Sequence, residues 1–108
     1  MKRGDIVMAS GRGDFASKPR PALVVQSDVY NRDHASITLC PITSVLLGPS
    51  FFRFAVEPTE RNGLDHLSEI QVDKVQSVRR AGIREVIGTI EFDIQDRVDE
   101  ALRRWLDL

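Results

Sequence analysis

The chain has 108 residues, 42% of them hydrophobic, and a formal net charge of −1. These values predict one folded domain over residues 1–108 and exclude both a disordered chain and a uniformly basic nucleic-acid coat protein. Residues 1–56 carry 7 basic and 4 acidic side chains, whereas residues 57–108 carry 8 and 12. A protein with a basic first half and an acidic second half can hold a polyanion on one face.

Short apolar runs between turn residues predict a series of β-strands. The first strand is expected at 5–10, followed by a loop at 11–19 that contains two glycines, a proline and three charges. The run at 21–26 is apolar on both faces and is therefore expected in the middle of a sheet. Residues 27–34 are polar and predict a turn with at most one helical turn, and a third strand is expected at 36–42.

Further strands are expected at 52–56, 68–72 and 75–78, where apolar residues recur between turns. Residues 60–63 contain Asn-Gly and predict a tight turn. Gly82 is expected to end the last of these strands.

The final segment has helical spacing instead. Its apolar residues form one stripe of an α-helix: Ile94, Val98, Ala101, Leu102, Trp105 and Leu106. Asp93 is expected to be the N-cap. The predicted fold class is mainly β, a strongly bent antiparallel sheet or barrel closed by a C-terminal helix.

The single cysteine, Cys40, lies in an apolar run and is expected to be a buried side chain in a reducing compartment. His34 and His66 are isolated, and no His or Cys pair has ligand spacing, so neither a metal nor another cofactor is expected. No targeting signal is recognised, and no apolar stretch reaches the roughly 20 residues of a spanning helix. We therefore expect a cytoplasmic protein without membrane contact.

Two clusters of polar residues adjoin predicted strands. Arg20 lies between Pro19 and Pro21, which restrict its backbone, and a guanidinium held in this way suits two-pronged phosphate binding. The residues alone favour the alternative of a solvated surface arginine. Thr43 and Ser44 follow an apolar strand, where polar groups often line sites, but the residues alone favour the alternative of an ordinary hydroxyl-capped turn.

A third polar segment, Asp73-Lys74, is explained most simply as an exposed ion pair.

Several segments together match the pattern of one known family, in order along the chain: 3–8 (RGDIVM), 20–25 (RPALVV), Tyr30-Asn31, 41–44 (PITS), 72–78 (VDKVQSV), 87–90 (IGTI) and a helix ending Trp105-Leu106. With these segments the chain resembles the MazF/PemK toxins of bacterial toxin–antitoxin modules over nearly its whole length.

The resemblance implies an SH3-like barrel of the MazF/CcdB type and a homodimer. It also implies a sequence-selective endoribonuclease of single-stranded RNA. Attack by the RNA's own 2′-hydroxyl requires no metal ion, and the basic, loop-rich residues 1–56 predict an antitoxin with an acidic, partly disordered C-terminal segment. Arg20 and Thr43 match the family's catalytic arginine and threonine. The remaining polar candidates are expected to contact substrate: Arg12, Asp14, Lys18, Ser44, Asp73 and Lys74.

The chain departs from the family pattern at two positions. Phe15 stands where many members carry an acidic residue, with Asp14 one place earlier, and Gln71 stands where some members carry an arginine. The proton donor and acceptor therefore stay open among Asp14, Asp73 and a histidine.

Two other functions remain as alternatives. One is a CcdB-like gyrase poison, against which the last residues, Trp105-Leu106-Asp107-Leu108, argue because that family ends in Trp-Gly-Ile. The other is a non-catalytic barrel that binds RNA or protein.

Overall fold

The computed structural model describes residues 1–11, 18–48 and 50–108. The elements of this part of the chain are β1 (Asp5–Ala9), β2 (Arg20–Val24), α1 (Asp28–Asn31), β3 (Ser36–Thr43), β4 (Arg53–Val56), β5 (Ser68–Gln71), β6 (Gln76–Arg79), β7 (Ile83–Thr89) and α2 (Phe92–Leu106). The sheet is antiparallel, and the predicted class of a mainly β fold with a C-terminal helix is confirmed. Among the described helices, none is long and apolar enough to cross a membrane.

The sheet is organised around the eight-residue strand β3. The strand order is β4-β5-β3-β2-β1-β7, with β6 also paired to β3. The first half of β3, from Ser36 to Leu39, pairs with β6, whereas its last two residues, Ile42 and Thr43, pair with β5. β3 thus joins two parts of the sheet, and its two ends lie in different surroundings.

Both faces of the central strands are covered. Successive residues of a strand point to opposite faces, so Leu23 packs in the cluster beneath α2 while Ala22 and Val24 pack in a second cluster on the other side. All three side chains are fully buried. The predicted central position of this strand is therefore confirmed, although the strand begins at Arg20 and ends at Val24.

Helix α2 buries its predicted stripe against the sheet. Val98 and Ala101 are buried, and Trp105 lies at the exposed end of the stripe, where its ring meets Phe52 edge-on at 5.0 Å between centroids. Burial of this stripe provides most of the helix's stability, because a helix of this length is marginal in isolation.

The predicted N-cap at Asp93 is wrong, because α2 begins at Phe92 and Glu91 takes the capping position. The Glu91 carboxylate accepts hydrogen bonds from Thr59 Oγ1 at 2.9 Å and Asn62 Nδ2 at 3.2 Å, which ties the helix start to a turn in the preceding chain. Asp93 instead lies in the first turn, where its negative charge favours the helix dipole.

Strand β7 was not expected from the pattern of its residues. Its register with β1 shifts twice, between Ile6 and Val7 and between Met8 and Ala9, which breaks the alternation that identifies a strand. Gly88 lies inside β7 because the backbone of Asn62 passes so close that an added Cβ would lie 2.3 Å from its carbonyl carbon. The turn around Asn62 is thereby packed directly on β7.

Candidate functional site

Arg20 and Thr43 are brought together by strand pairing. Arg20 is the first residue of β2 and Thr43 the last residue of β3. The antiparallel register pairs Ala22 with Pro41, and extending it by two residues puts Arg20 beside Thr43. The two ends of neighbouring strands therefore present a guanidinium and a hydroxyl at the same edge of the sheet.

Two adjoining cavities, of about 460 Å³ and about 220 Å³, meet at this edge. Their common wall consists of Arg20, Ile42, Thr43 and Val45. We call the first the larger cavity; its other polar lining comes from Lys18, Ser44, Gly63, Asp65, His66 and Ser68. We call the second the smaller cavity; its other polar lining comes from Arg53, Gln71 and Lys74.

The Thr43 hydroxyl is oriented by the chain that follows it. Its Oγ1 accepts a hydrogen bond from the backbone N–H of Val45 at 3.1 Å. Because that bond uses a lone pair of the oxygen, the hydroxyl hydrogen is left to donate to a group in the cavity. Thr43 is thus prepared as a hydrogen-bond donor.

Glu69 holds the loop after Thr43 in place. It pairs with Thr43 across β3 and β5, and it is only 3% exposed. Its two carboxylate oxygens accept the N–H groups of Leu47 and Gly48, each at 3.0 Å. A buried carboxylate with both oxygens bonded to backbone fixes this loop, which lines both cavities.

The smaller cavity is positively charged. Arg53 forms an ion pair with Asp73 at 3.4 Å, whereas Arg20 has no ion-pair partner within the described part of the chain. Lys74 adds a third cation to the lining. Because Arg20 has no ion-pair partner among the described residues, an anionic ligand is favoured beside it.

The structure places the predicted site residues unequally. Lys18 and Ser44 line the larger cavity and Lys74 the smaller one, but Asp73 lies behind Arg53 and lines neither. Arg12, Asp14 and Phe15 lie outside the described residues. Gln71, the second departure from the family pattern, is buried in the wall of the smaller cavity.

Two side chains of the site, Arg53 and Glu69, were missed by the sequence reasoning, and a third, His66, was included only as one of two histidines that could exchange a proton. Arg53 reaches the smaller cavity because it pairs with Gln71 across β4 and β5, and Glu69 belongs to the same strand pair. His66 reaches the larger cavity from the turn before β5. All three are distant in sequence from Arg20, and only the alternation of β4 gave any signal.

The second histidine and the cysteine lie away from this site. His34 Nδ1 is engaged with the backbone of Ser36 at the other end of β3. Cys40 is fully buried, and this burial raises the pKa of its thiol to about 12, confirming that it is a core side chain. Within the described residues, no group of three potential metal-ligating side chains comes together.

Comparison with known proteins places this geometry in context. A family model described as "PemK-like, MazF-like toxin of type II toxin-antitoxin system" matches residues 2–106. A protein of Mycolicibacterium smegmatis named "Probable endoribonuclease MazF" is 35% identical over 108 residues, which span 100% of this chain and 98% of that protein.

Two solved structures share the fold. The Mycobacterium tuberculosis toxin MazF-mt6 superposes with a TM-score of 0.81 at 23% identity, covering 96% of this chain and 97% of that one. A mycobacterial endoribonuclease, solved in complex with its cognate antitoxin, gives a TM-score of 0.83 at 18% identity, covering 100% and 96%.

Proposed function

Because the chain belongs to the PemK-like, MazF-like toxins of type II toxin–antitoxin systems, we propose that it is an endoribonuclease acting on single-stranded RNA in the cytoplasm, with residues 1–108 forming one toxin domain. The observation that supports this most is the meeting of Arg20 and Thr43 on the wall common to two cavities. The name of the 35%-identical relative supports the same activity.

RNA supplies its own nucleophile in this reaction. The 2′-hydroxyl attacks the adjacent phosphorus in line, the new O2′–P bond forms, and the P–O5′ bond breaks. The products are a 2′,3′-cyclic phosphate and a 5′-hydroxyl end. The scheme needs no metal ion, because the protein has only to hold this geometry and to neutralise charge that grows on the phosphoryl oxygens.

Arg20 and Thr43 suit these two tasks. The guanidinium of Arg20 is permanently charged and offers two parallel N–H groups to a phosphate. The Thr43 hydroxyl, already oriented by the Val45 N–H, donates to a second phosphoryl oxygen. The scissile phosphate therefore lies at the common wall, and the nucleotides on either side of it enter the two cavities.

The surrounding polar residues bind the flanking RNA. Lys18 and Ser44 contact it in the larger cavity and Lys74 in the smaller one, with Arg53 as a further cation held by Asp73. Single-stranded RNA fits this arrangement because its unstacked bases can turn into cavities and be read at their edges.

We further propose that the toxin is a homodimer inhibited by a cognate antitoxin with an acidic, partly disordered C-terminal segment. The antitoxin follows from the family description, and acidic residues complement the cations around Arg20. By occupying the two cavities, such a segment excludes RNA. A purified toxin–antitoxin complex should therefore cleave RNA far more slowly than the free toxin.

The gyrase-poison alternative is disfavoured because the matching family model is that of PemK and MazF. A non-catalytic barrel is separated from an enzyme by one experiment. Incubated with a long RNA in EDTA, the protein should produce fragments with 2′,3′-cyclic phosphate ends. A substrate with 2′-deoxyribose at the scissile position should resist, and its cleavage at the normal rate would refute the mechanism.

A further inference from the structure

The proposed cleavage needs a group that accepts the proton of the 2′-hydroxyl. Arg20 cannot do this because its guanidinium stays protonated. Of the carboxylates expected for this task, Asp73 is engaged by Arg53 and lines neither cavity, and Asp14 lies outside the described residues. The remaining expectation was a histidine, and the chain contains two.

The two histidines are placed differently. His34 is engaged with Ser36 and is absent from the lining of both cavities. His66 is exposed and lines the larger cavity together with Arg20 and Thr43. Of the two histidines, His66 is therefore the one positioned to exchange a proton with a substrate held by Arg20 and Thr43.

The two cavities also differ in what they can accept. The smaller cavity offers a guanidinium, an amide and an ammonium from Arg53, Gln71 and Lys74, and the two charged groups are hydrogen-bond donors without an acceptor atom. The larger cavity offers the imidazole of His66, the side chain best suited to this exchange. This difference assigns the nucleotide that carries the attacking hydroxyl to the larger cavity.

The backbone on both sides of His66 is anchored. Asn62 Oδ1 accepts the N–H of Leu64 at 3.0 Å, and the carbonyl oxygen of His66 accepts the hydroxyl of Ser68 at 2.8 Å. Gly63 lies so close to β7 that an added Cβ would lie 2.0 Å from the carbonyl oxygen of Ile87. The imidazole is consequently presented from a fixed backbone, as general-base catalysis requires.

We propose that His66 is the general base of the reaction, an inference that rests on the proposed endoribonuclease function. The neutral imidazole takes the proton of the 2′-hydroxyl as the O2′–P bond forms. The P–O5′ bond breaks, and the departing 5′-oxygen takes a proton from water. The imidazolium then returns its proton to the hydroxide so formed, which restores the enzyme.

Removal of the imidazole provides the first test. We expect His66→Ala to lower the cleavage rate by about 10²- to 10⁴-fold and to abolish the rise of the rate with pH through the neutral range. His34→Ala, the matched control, should cleave with the wild-type rate and pH profile. Imidazole added to the buffer should restore part of the activity of His66→Ala, which no purely structural role explains.

The charged groups on the same cavity wall are Lys18, Arg20 and Asp65. Asp65 is the other proton acceptor among them, so Asp65→Asn is the second control. This variant should retain the neutral rise of the rate with pH. If the rise of the cleavage rate with pH were lost in Asp65→Asn but kept in His66→Ala, the general base would be Asp65 and the proposal would be overturned.

A modified substrate distinguishes a general-base role of His66 from a general-acid role. A 5′-bridging phosphorothiolate leaves without protonation, so a missing general acid is compensated and a missing general base is not. We expect the defect of His66→Ala to persist on this substrate, and full recovery would show that His66 is the acid. Failure of the wild-type protein to cleave any RNA would instead overturn the proposed function itself.

Discussion

The two ends of strand β3 carry similar polar residues in different surroundings: polar contacts at the first end and a cavity at the last. At the first end, Thr38 Oγ1 lies 3.1 Å from Ser77 Oγ and His34 Nδ1 lies 3.1 Å from the backbone nitrogen of Ser36. At the last end, the Thr43 hydroxyl and the side chain of His66 face a cavity. Each end thus has a threonine and a histidine, and those of the last end share the lining of one cavity with Arg20.

The difference arises from the neighbouring strands. β6 lies alongside the first half of β3, so that polar side chains meet across the pair. β5 pairs with only the last two residues, and the chain then leaves the sheet as a loop held by Glu69. The end of strand pairing opens the cavities, and functional groups concentrate where a rigid strand passes into a positioned loop.

Among the residues of the wall common to both cavities, the largest effect is expected from Arg20→Ala. Loss of one preorganised charge contact to a developing oxyanion typically lowers the rate by about 10²- to 10³-fold. Arg79→Ala is the matched control, because Arg79 is exposed and pairs with Ser36 at the first end. Steady-state cleavage of a short RNA measures both variants.

Arg20→Lys should recover little activity, because a point charge does not replace two parallel N–H groups. Unchanged melting temperatures should accompany both substitutions of Arg20. Recovery of full activity by the lysine variant would contradict the two-pronged contact.

A smaller loss is expected from Thr43→Ala. One hydrogen bond contributes about 1 kcal/mol, which corresponds to roughly a five- to tenfold lower cleavage rate. Thr43→Ser keeps the hydroxyl and should retain activity. Thr38→Ala, the same change at the first end of β3, should leave the cleavage rate unaltered. Equal losses of rate in Thr38→Ala and Thr43→Ala would contradict a specific role of the last end of β3.

Glu69→Gln is expected to act first on stability. The substitution replaces one of the two carboxylate oxygens, which accept the N–H groups of Leu47 and Gly48, with an NH₂ group that can only donate. One of these N–H groups then loses its acceptor, and an unsatisfied buried group lowers the free energy of unfolding by about 1–3 kcal/mol. Urea denaturation measures this loss. The control, Glu100→Gln, changes an exposed carboxylate that pairs with Arg104, and its effect should stay within about 0.5 kcal/mol.

Cys40, between the two ends of β3, should affect stability only at alkaline pH. Burial raises the pKa of its thiol from 9.0 to about 12, so the folded protein keeps the proton at a pH where the unfolded chain loses it. The free energy of unfolding should therefore fall as the pH rises from about 9 towards 12. Cys40→Ser should remove this contribution to the pH dependence, and an identical alkaline dependence in both proteins would contradict it.

Local patterns predicted much of the fold. The double-faced apolar run of β2 and the stripe of α2 follow directly from side-chain periodicity, since burial on both faces or on one face dictates the spacing of apolar residues. β7 was not predicted, because two register shifts against β1 disturb the alternation of its apolar and polar residues and because Gly88 resembles a turn residue. Asp93 is a residue type that often caps helices, but Glu91 takes the capping position. Its carboxylate is held there by Thr59 and Asn62, which are distant in sequence, so local patterns do not indicate this contact.

Some residues of the candidate site could also be identified from the sequence, whereas others could not. Arg20 and Thr43 were identified through the family resemblance, since the chemistry of the residues alone favoured a solvated arginine. His66, Arg53 and Glu69 reach the site through the pairing of β4, β5 and β3. Contacts of this kind depend on the register of strands far apart in sequence, which turn lengths and periodicity do not specify.

The pairing of Glu69 with Thr43 has a consequence for how cells escape this toxin. Selection for survivors yields two kinds of mutant. On the proposed mechanism, a change at Thr43 should leave a folded, inactive toxin that still binds the antitoxin through the cations around Arg20. Changes at Glu69 should instead destabilise the fold, expose the chain to proteolysis and leave the antitoxin unbound. The position of an escape mutation should therefore decide whether the antitoxin stays bound to an inactive toxin or is left without a partner.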